Sequence, residues 1–498
     1  MFLMSGNLNI LFVSAECAPF AKSGGLGDVT GALPQFLKKK GHDIIVVMPM
    51  YSFIDRRVHK IETAFREMHV DSGGEDVSCA VQTASLPGEV RVYFIDYAPF
   101  FDRPGLYNDS THTDYEDNPK RFIFLSKAAL ELCRALGFAP DIVHANDWHT
   151  AMLPAFINRV FNKDPLFRSA ASVLTIHNLA YQGRYERRFY DYSGLPEDDF
   201  VPRGFECYGA VNFLKGGIIQ ADMVNTVSRG YADETRTAEG GYGLDYFLRG
   251  KGDRYMGILN GVDYSIWDPA VDALIPVKYS IDDLHGKSEC KRILQEQSGL
   301  TGGASVPLIG VVSRLVTQKG FHLLAECIDD IINDTDAGFV ILGAGDKHLE
   351  TFYSDLQKRH PGRVCTTIGY SNELAHMIEA GSDLFLMPSL YEPCGLNQIY
   401  SLKYGTLPVV RATGGLNDTI ENYDQTTGEG TGFKFYEPSG KAIYYTVLWA
   451  VETYHYRKKH FLGLILNAMS QHFSLEDSAA EYVEMYHKAR RERVGSVT

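Results

Sequence analysis

Residues 9–15, Asn-Ile-Leu-Phe-Val-Ser-Ala, lead into Lys22-Ser23-Gly24-Gly25-Leu26-Gly27-Asp28, and the fold follows from that junction. A continuous apolar run of this length, closed by a glycine-rich turn, reads as a strand buried on both faces. Beyond the turn, Val29, Leu33, Phe36 and Leu37 share one face of a helix predicted over Asp28–Lys40, which Gly41 stops. Asp43–Met48 (DIIVVM) is the next strand, so the three pieces form a βαβ unit.

The rhythm continues outward. Strands are expected at Val90–Asp96, Asp141–His144, Ser172–His177 and Met223–Ser228, then at Pro307–Ser313, Gly338–Leu342, Val364–Gly369, Leu384–Pro388 and Leu407–Arg411. β-Branched strands separated by helices indicate parallel sheets covered on both faces. Two such runs predict an α/β protein of two doubly wound, Rossmann-like domains, with ligand bound at the carboxyl ends of the strands. The boundary is expected near Tyr255–Asn260, giving domains over 1–255 and 256–475. The polar stretch Glu476–Arg493 is read as a helix that returns to the first domain, within 476–498.

A chain of 498 residues exceeds one ordinary core, and no stretch approaches the roughly 20 apolar residues that span a bilayer. The start, Met1 to Asn9, lacks the pattern of a signal peptide, so a cytoplasmic protein without a membrane partner is expected. The net charge of −14 argues against a nucleic-acid surface. It leaves room for a phosphate pocket, because screening over about 8 Å lets a few local cations decide the potential. Eight scattered cysteines with no CxxC pair suit a reducing compartment.

Several loops at expected strand ends carry chemistry. The turn from Lys22 to Asp28 offers free backbone amides, and glycines such as Gly25 let an anion or a sugar come close. It is equally a tight turn with a solvated lysine. Arg314 and Lys319, in Ser313-Arg314-Leu315…Lys319-Gly320, leave one strand edge, where two cations can meet one diphosphate; an isolated pair of this kind is often only exposed surface. Glu392 follows the strand LFLMPS, and Gly395 is expected to start a helix, aiming the amides of Gly395, Leu396 and Asn397 at a phosphate. Glu392 can accept from sugar hydroxyls, or merely complement the helix dipole. Cys394 fits a small buried hydrophobe.

His177, in Thr175-Ile176-His177-Asn178, ends another strand, as a sugar ligand or a satisfied core histidine. His144-Ala145-Asn146-Asp147-Trp148-His149 looks metal-like, but His144 ends a strand, the loop residues point elsewhere, and no carboxylate cluster completes a site. An acceptor-sugar surface with Trp148 as a stacking face fits that segment better. Leu342-Gly343-Ala344-Gly345-Asp346 resembles a dinucleotide turn, but His348 occupies the third glycine position, so a plain strand–helix turn is expected.

KSGGLGDV, HANDWHT, TIHNLAYQG, GILNGVD, SRLVTQKG and YEPCGLNQ occur in this order over about 380 residues. Together they resemble the bacterial glycogen synthases and plant starch synthases. The resemblance implies the GT-B glycosyltransferase architecture, two Rossmann-like domains facing a deep cleft. It also implies retaining transfer of glucose from ADP-glucose to the non-reducing 4-hydroxyl of an α-1,4-glucan, either glycogen or a maltooligosaccharide. No cofactor and no metal are implied. By that resemblance Lys22 contacts the donor, Arg314 and Lys319 hold the diphosphate, and Tyr370 flanks the base. His177, Asn260, Glu392, Cys394 and Gly395 surround the glucose, while Asp28, Asp147 and His149 belong to the acceptor side. Two positions depart from the pattern: Asn397 stands where the family usually has threonine, and Tyr400 where many related transferases carry a second glutamate. Asn108, in FDRPGLYND, lies where some relatives have histidine.

Overall fold

The computed structural model describes residues 6–109 and 113–497; Met1–Ser5, part of the segment in which no signal-peptide pattern was expected, lie outside the described residues. The chain divides into two compact units. The first comprises 1–227, 232–258 and 475–498, and the second 228–231 and 259–474.

In the first unit the strands are β1 (Asn9–Val13), β2 (Asp43–Pro49), β3 (Glu62–Ser72), β4 (Glu75–Leu86), β5 (Val90–Asp96) and β6 (Ile142–Asn146), followed by β7 (Ala171–Ile176). The short strands β8 (Arg184–Glu186), β9 (Glu206–Cys207) and β10 (Ala210–Asn212) form a separate sheet, and β11 (Met223–Thr226) and β12 (Tyr255–Gly257) complete the set. The main sheet runs β12-β11-β7-β6-β1-β2-β5-β4-β3, parallel from β12 through β5 and antiparallel at β4 and β3. From β1 the chain builds outward through β2 in one direction and through β6 in the other. The order therefore reverses between β1 and β6, where such sheets open a crevice at the strand ends.

The second unit holds β13 (Leu308–Val312), β14 (Gly338–Gly343), β15 (Val364–Ile368), β16 (Leu384–Met387), β17 (Leu407–Arg411) and β18 (Phe433–Phe435). They form an all-parallel sheet, β15-β14-β13-β16-β17-β18, whose order reverses between β13 and β16. In both sheets the central parallel strands are buried almost throughout, as in Ala171–Ile176 and Gly338–Gly343, because helices cover each face.

The first helix spans Gly25–Lys39 rather than Asp28–Lys40, beginning inside the glycine turn itself; Gly41, at φ +94°, follows its end. His144 lies in the middle of β6, not at its end. The antiparallel β3–β4 hairpin was not expected. It turns on Gly73 and Gly74, at φ +71° and +88°, a left-handed pair that glycine adopts without a steric cost. The turn after β14 is the plain one expected, and its glycines have a packing reason. A Cβ on Gly343 would stand 2.1 Å from the Ser313 carbonyl oxygen, and one on Gly345 would stand 2.5 Å from that of Leu315.

The C-terminal helix, Leu475–Val497, packs on the first sheet. Beneath it runs a buried chain of polar contacts. His144 Nδ1 pairs with Tyr486 Oη at 2.7 Å and His144 Nε2 with Thr175 Oγ1 at 2.6 Å. Thr175 Oγ1 in turn meets Asn225 Oδ1 at 2.6 Å, and Asn225 Nδ2 donates to Tyr482 Oη at 3.1 Å. With both ring nitrogens engaged, His144 is a structural residue that joins three strands to the helix.

Candidate active site

Of the expected site residues, Lys22, Asp147 and His149 follow β1 and β6, and Arg314, Lys319 and Glu392 follow β13 and β16, where each sheet reverses its order. His177 follows β7, Asn260 follows β12 and Tyr370 follows β15, away from those points. In the second unit the loops after β13 and β16 carry Arg314, Lys319 and Glu392. The backbone knits these loops together: Leu390 N–H donates to Gln318 O at 2.8 Å, and a Cβ on Gly320 would stand 1.9 Å from the Pro388 carbonyl oxygen. Gly320, at φ +74°, is thus required by conformation and by space. That approach brings Lys319 Nζ to 2.5 Å from Glu392 Oε2, which also accepts from Ser389 Oγ at 3.0 Å. Glu392 is buried and its lysine partner nearly so. Arg314 is exposed, and its guanidinium makes no hydrogen bond or ion pair among the described residues.

Gly395 does not start the helix. It sits at φ +72°, and the helix spans Asn397–Tyr404 with Leu396 as its cap. Asn397 spends its side chain on the fold, donating from Nδ2 to Val312 O of β13 at 2.7 Å, and so ties the helix to the neighbouring strand. Cys394 is buried, with Sγ 3.8 Å from Asn260 O, and burial pushes its thiol up to about 12. Asn260 is buried too, and its Oδ1 has no hydrogen-bond partner among the described residues. A buried acceptor without a donor is costly, and a hydroxyl from water or from a ligand offsets that cost. Tyr370 is 70% exposed, and its hydroxyl donates to Asn372 Oδ1 at 3.1 Å. Tyr400 stacks on Trp267 at 3.8 Å and 8°, and Trp267 stacks on His376 at 3.7 Å and 15°. The position is therefore a layer in an aromatic stack, with no carboxylate role to fill.

In the first unit the glycine turn is held from within by Glu16, a buried residue that sequence reading passed over. Its carboxylate accepts from Ser23 N at 2.6 Å, Ser23 Oγ at 2.7 Å and Tyr107 Oη at 2.6 Å. The signal was slight: an acid just past a strand, indistinguishable from a solvated loop residue. Gly27 and Gly31 are packing glycines, since a Cβ would meet Lys22 Cβ at 2.4 Å or Ala18 O at 2.3 Å. Gly24 and Gly25 face open space within 4 Å, and neither has a positive φ, so the free chain does not itself require glycine there. Lys22 lies on the same turn, half exposed, 2.9 Å from Asp28.

His177 and Asp147 lie together. Asp147, at φ +54°, accepts from the backbone N–H of His177 at 2.7 Å and of Asn178 at 3.3 Å, so this carboxylate shapes the loop after β7. His177 Nε2 pairs with Asn146 Oδ1 at 3.0 Å. His149 stacks on Tyr107 at 4.6 Å, and its buried Nδ1 has no partner among the described residues. Trp148 corrects the expectation of a stacking face. It is buried against Phe122, His149 and Tyr185, and a Cβ on Gly183 would stand 2.5 Å from its ring. Asn108 serves the backbone, bridged to Asp114.

Burial pushes the Asp147 carboxyl up to about 7, against the backbone hydrogen bonds that lower it, and burial takes His144 and His177 down to about 3. A carboxyl that holds its proton more tightly when folded loses stability as pH rises from the ordinary carboxylate range to about 7. A histidine that holds its proton less tightly when folded loses stability as pH falls from 6.5 towards about 3. The two oppose each other. Asp147→Asn tolerates the left-handed backbone and removes only the first, so its melting temperature should fall more steeply than the parent's between about pH 7 and about pH 5. Parallel melting curves for the two proteins across that range would contradict this assignment.

Two sheets of this topology, with a lysine–glutamate pair and amide-rich loops at their reversal points, define a glycosyltransferase of the GT-B fold. The starch synthase catalytic domain family matches residues 9–250, and group 1 glycosyl transferases match residues 302–459. Glycogen synthase 1 of Geobacter metallireducens is 47% identical over 491 residues, 98% of this chain and 97% of that protein. Glycogen synthase of Koribacter versatilis is 45% identical over 486 residues, 98% and 99% of the two chains. The solved catalytic domain of starch synthase IV from Arabidopsis thaliana, bound to ADP and acarbose, superposes with a TM-score of 0.90 at 33% identity, covering 98% of this chain and 100% of that one. Sucrose-phosphate synthase of Thermosynechococcus elongatus, at 16% identity and a TM-score of 0.61, shares the fold. The chain belongs to the glycogen and starch synthase family. No helix among the described residues is long and apolar enough to cross a membrane.

Proposed function

We propose that the chain transfers glucose from ADP-glucose to the 4-hydroxyl at the non-reducing end of an α-1,4-glucan, with retention and without a metal. The observation that carries this reading is the Lys319–Glu392 pair at the reversal point of the second sheet, in a chain 47% identical to a glycogen synthase along nearly its whole length. The relative solved with ADP and acarbose supports a nucleotide diphosphate and a glucan-like ligand as the two partners.

In this reading Lys319, Arg314 and the amides near the Asn397–Tyr404 helix take the negative charge of the departing diphosphate, the work a divalent cation performs elsewhere. Glu392 faces the glucose and stabilises positive charge as it grows on the ring, while Ser389 and Lys319 fix its orientation. Asn260 Oδ1 accepts from a sugar hydroxyl. Tyr370 flanks the base, and Cys394, Gly395 and Leu396 line the donor. His177 sits close to the anomeric carbon and stays neutral, because burial opposes its protonation. Lys22 and Gly25 serve the donor from the glycine turn; Asp28, Asp147 and His149 act on the acceptor side through the loops they shape. The diphosphate itself takes the acceptor's proton on the same face as it departs, in place of the covalent route of retaining glycosidases.

The test is a donor panel with purified protein, glycogen, and nucleotide release as the readout. ADP-glucose should be turned over at least about tenfold faster than UDP-glucose, with no loss in EDTA. A preference for UDP-glucose, or a rate abolished by chelation and restored by a divalent ion, would overturn the donor or the metal assignment respectively.

A further inference from the structure

The Glu392–Gly395 loop has its carbonyl oxygens occupied by the protein and its amides left over. Gly415 N–H donates to Glu392 O at 3.1 Å, and Ser228 Oγ donates to Pro393 O at 2.5 Å. Gln398 Nε2 donates to both Cys394 O and Gly395 O, each at 3.0 Å, and to Thr419 Oγ1 at 3.2 Å. In contrast, the backbone N–H groups of Cys394, Gly395, Leu396 and Asn397 donate to nothing among the described residues.

Peptide geometry connects the two facts. In a planar trans peptide the carbonyl of one residue and the N–H of the next point in opposite directions. Pinning the carbonyls of Pro393, Cys394 and Gly395 on one side therefore turns the amides of Cys394, Gly395 and Leu396 to the other. The pinned side has no room to relax. A Cβ on Gly414 would stand 2.1 Å from Glu392 O, and one on Gly415 would stand 2.1 Å from Cys394 O. Gln398 itself cannot turn over usefully, because a flip would set its oxygen against two carbonyl oxygens. Its Oε1 is already buried without a partner, so the side chain is held in place by its donor end alone.

We infer that Gln398 and Ser228 are positioning residues for the donor: by holding three successive carbonyls they aim three successive amides at its diphosphate. Neither touches the reacting atoms. Ser228 belongs to the second unit, although the chain on either side of residues 228–231 belongs to the first. The inference rests on the proposed reading of this loop as the donor site, and it extends that reading from the loop to the side chains that shape it.

ADP titration by calorimetry, together with separate KM values for donor and glucan, tests it. Gln398→Met keeps the length of the side chain and removes the donors; Ser228→Ala removes a single hydroxyl. Gln398→Met should weaken ADP binding about tenfold and raise the donor KM by a similar factor, and Ser228→Ala should do so several-fold, with the glucan KM unmoved in both. Unchanged ADP affinity in both variants would overturn the inference, as would equal rises in both KM values accompanied by a lowered melting temperature, the signature of general loosening. If Gln398→Met does not fold, Ser228→Ala decides by the same criteria. A parent protein that binds no ADP would instead remove the proposed donor reading, and the inference with it.

Discussion

Lys319→Ala is expected to lower kcat about 1000-fold and to lower the melting temperature as well. The first effect follows from the proposed reaction, in which a leaving diphosphate develops charge that a fixed cation stabilises most when water is excluded. The second follows from Glu392. With its lysine gone, this carboxylate keeps a hydrogen bond from Ser389 but loses its counter-charge while staying buried. Breaking a buried pair by removing one partner typically costs about 3–5 kcal/mol, and the residual exposure of Lys319 moderates that to about 2–3 kcal/mol. The two effects separate in the double variant Lys319→Met with Glu392→Gln, which replaces the pair by neutral groups of similar shape. Its melting temperature should return close to the parent's, while its turnover stays as low as that of Lys319→Ala. Recovery of turnover in the double variant, or Lys319→Ala acting within tenfold of the parent, would show that the pair is a structural bridge outside the chemistry.

Much of this site was legible before any coordinates, for a physical reason. A parallel strand covered on both faces must be apolar throughout, and the chain then needs glycine to turn into its helix. Asn9–Val13 with its glycine turn, and Leu384–Met387 with the loop after it, announce themselves. Ligand loops follow such strands, so Lys22, His177, Arg314, Lys319 and Glu392 stand out as candidates by position as much as by residue type. What escaped notice depends on distant partners. The β3 strand is studded with charge and exposed over its first half, and its burial alternates only from Met68 to Ser72, too short a run to stand out. Glu16 looks like any loop acid until Ser23 and Tyr107 close around it. Tyr400 acquires its meaning only from Trp267, far upstream in the chain. Trp148 was misplaced because an aromatic beside two histidines suggests a sugar platform, whereas the ring fills the space beneath Gly183. Gly395 was expected to open a helix, and its left-handed conformation instead delays the helix by two residues.

Deletion of residues 475–498 is expected to abolish cooperative folding of the first unit while leaving the second able to melt on its own. The C-terminal helix buries Leu475, Tyr482, Met485 and Tyr486 on that unit, each no more than 4% exposed. At about 1.5–3 kcal/mol for each large side chain, their loss amounts to about 10 kcal/mol, comparable with the whole stability of a typical domain. The polar cost adds to it. Without Tyr486 and Tyr482, the buried His144 and Asn225 lose their partners on the face of the sheet, and Arg490 no longer pairs with Asp141 at 3.2 Å. The single substitution His144→Phe samples this contribution alone. It strands the Tyr486 hydroxyl and one bond of Thr175, and should cost about 2–4 kcal/mol with the helix still in place. Calorimetry of the shortened chain should show one transition where the parent shows two or a single larger one, with the lost heat traceable to the first unit by proteolysis. A shortened chain that melts like the parent and still elongates glucan would mean that the helix rests on a sheet already complete without it, and the buried contacts beneath it would then be too weak to matter.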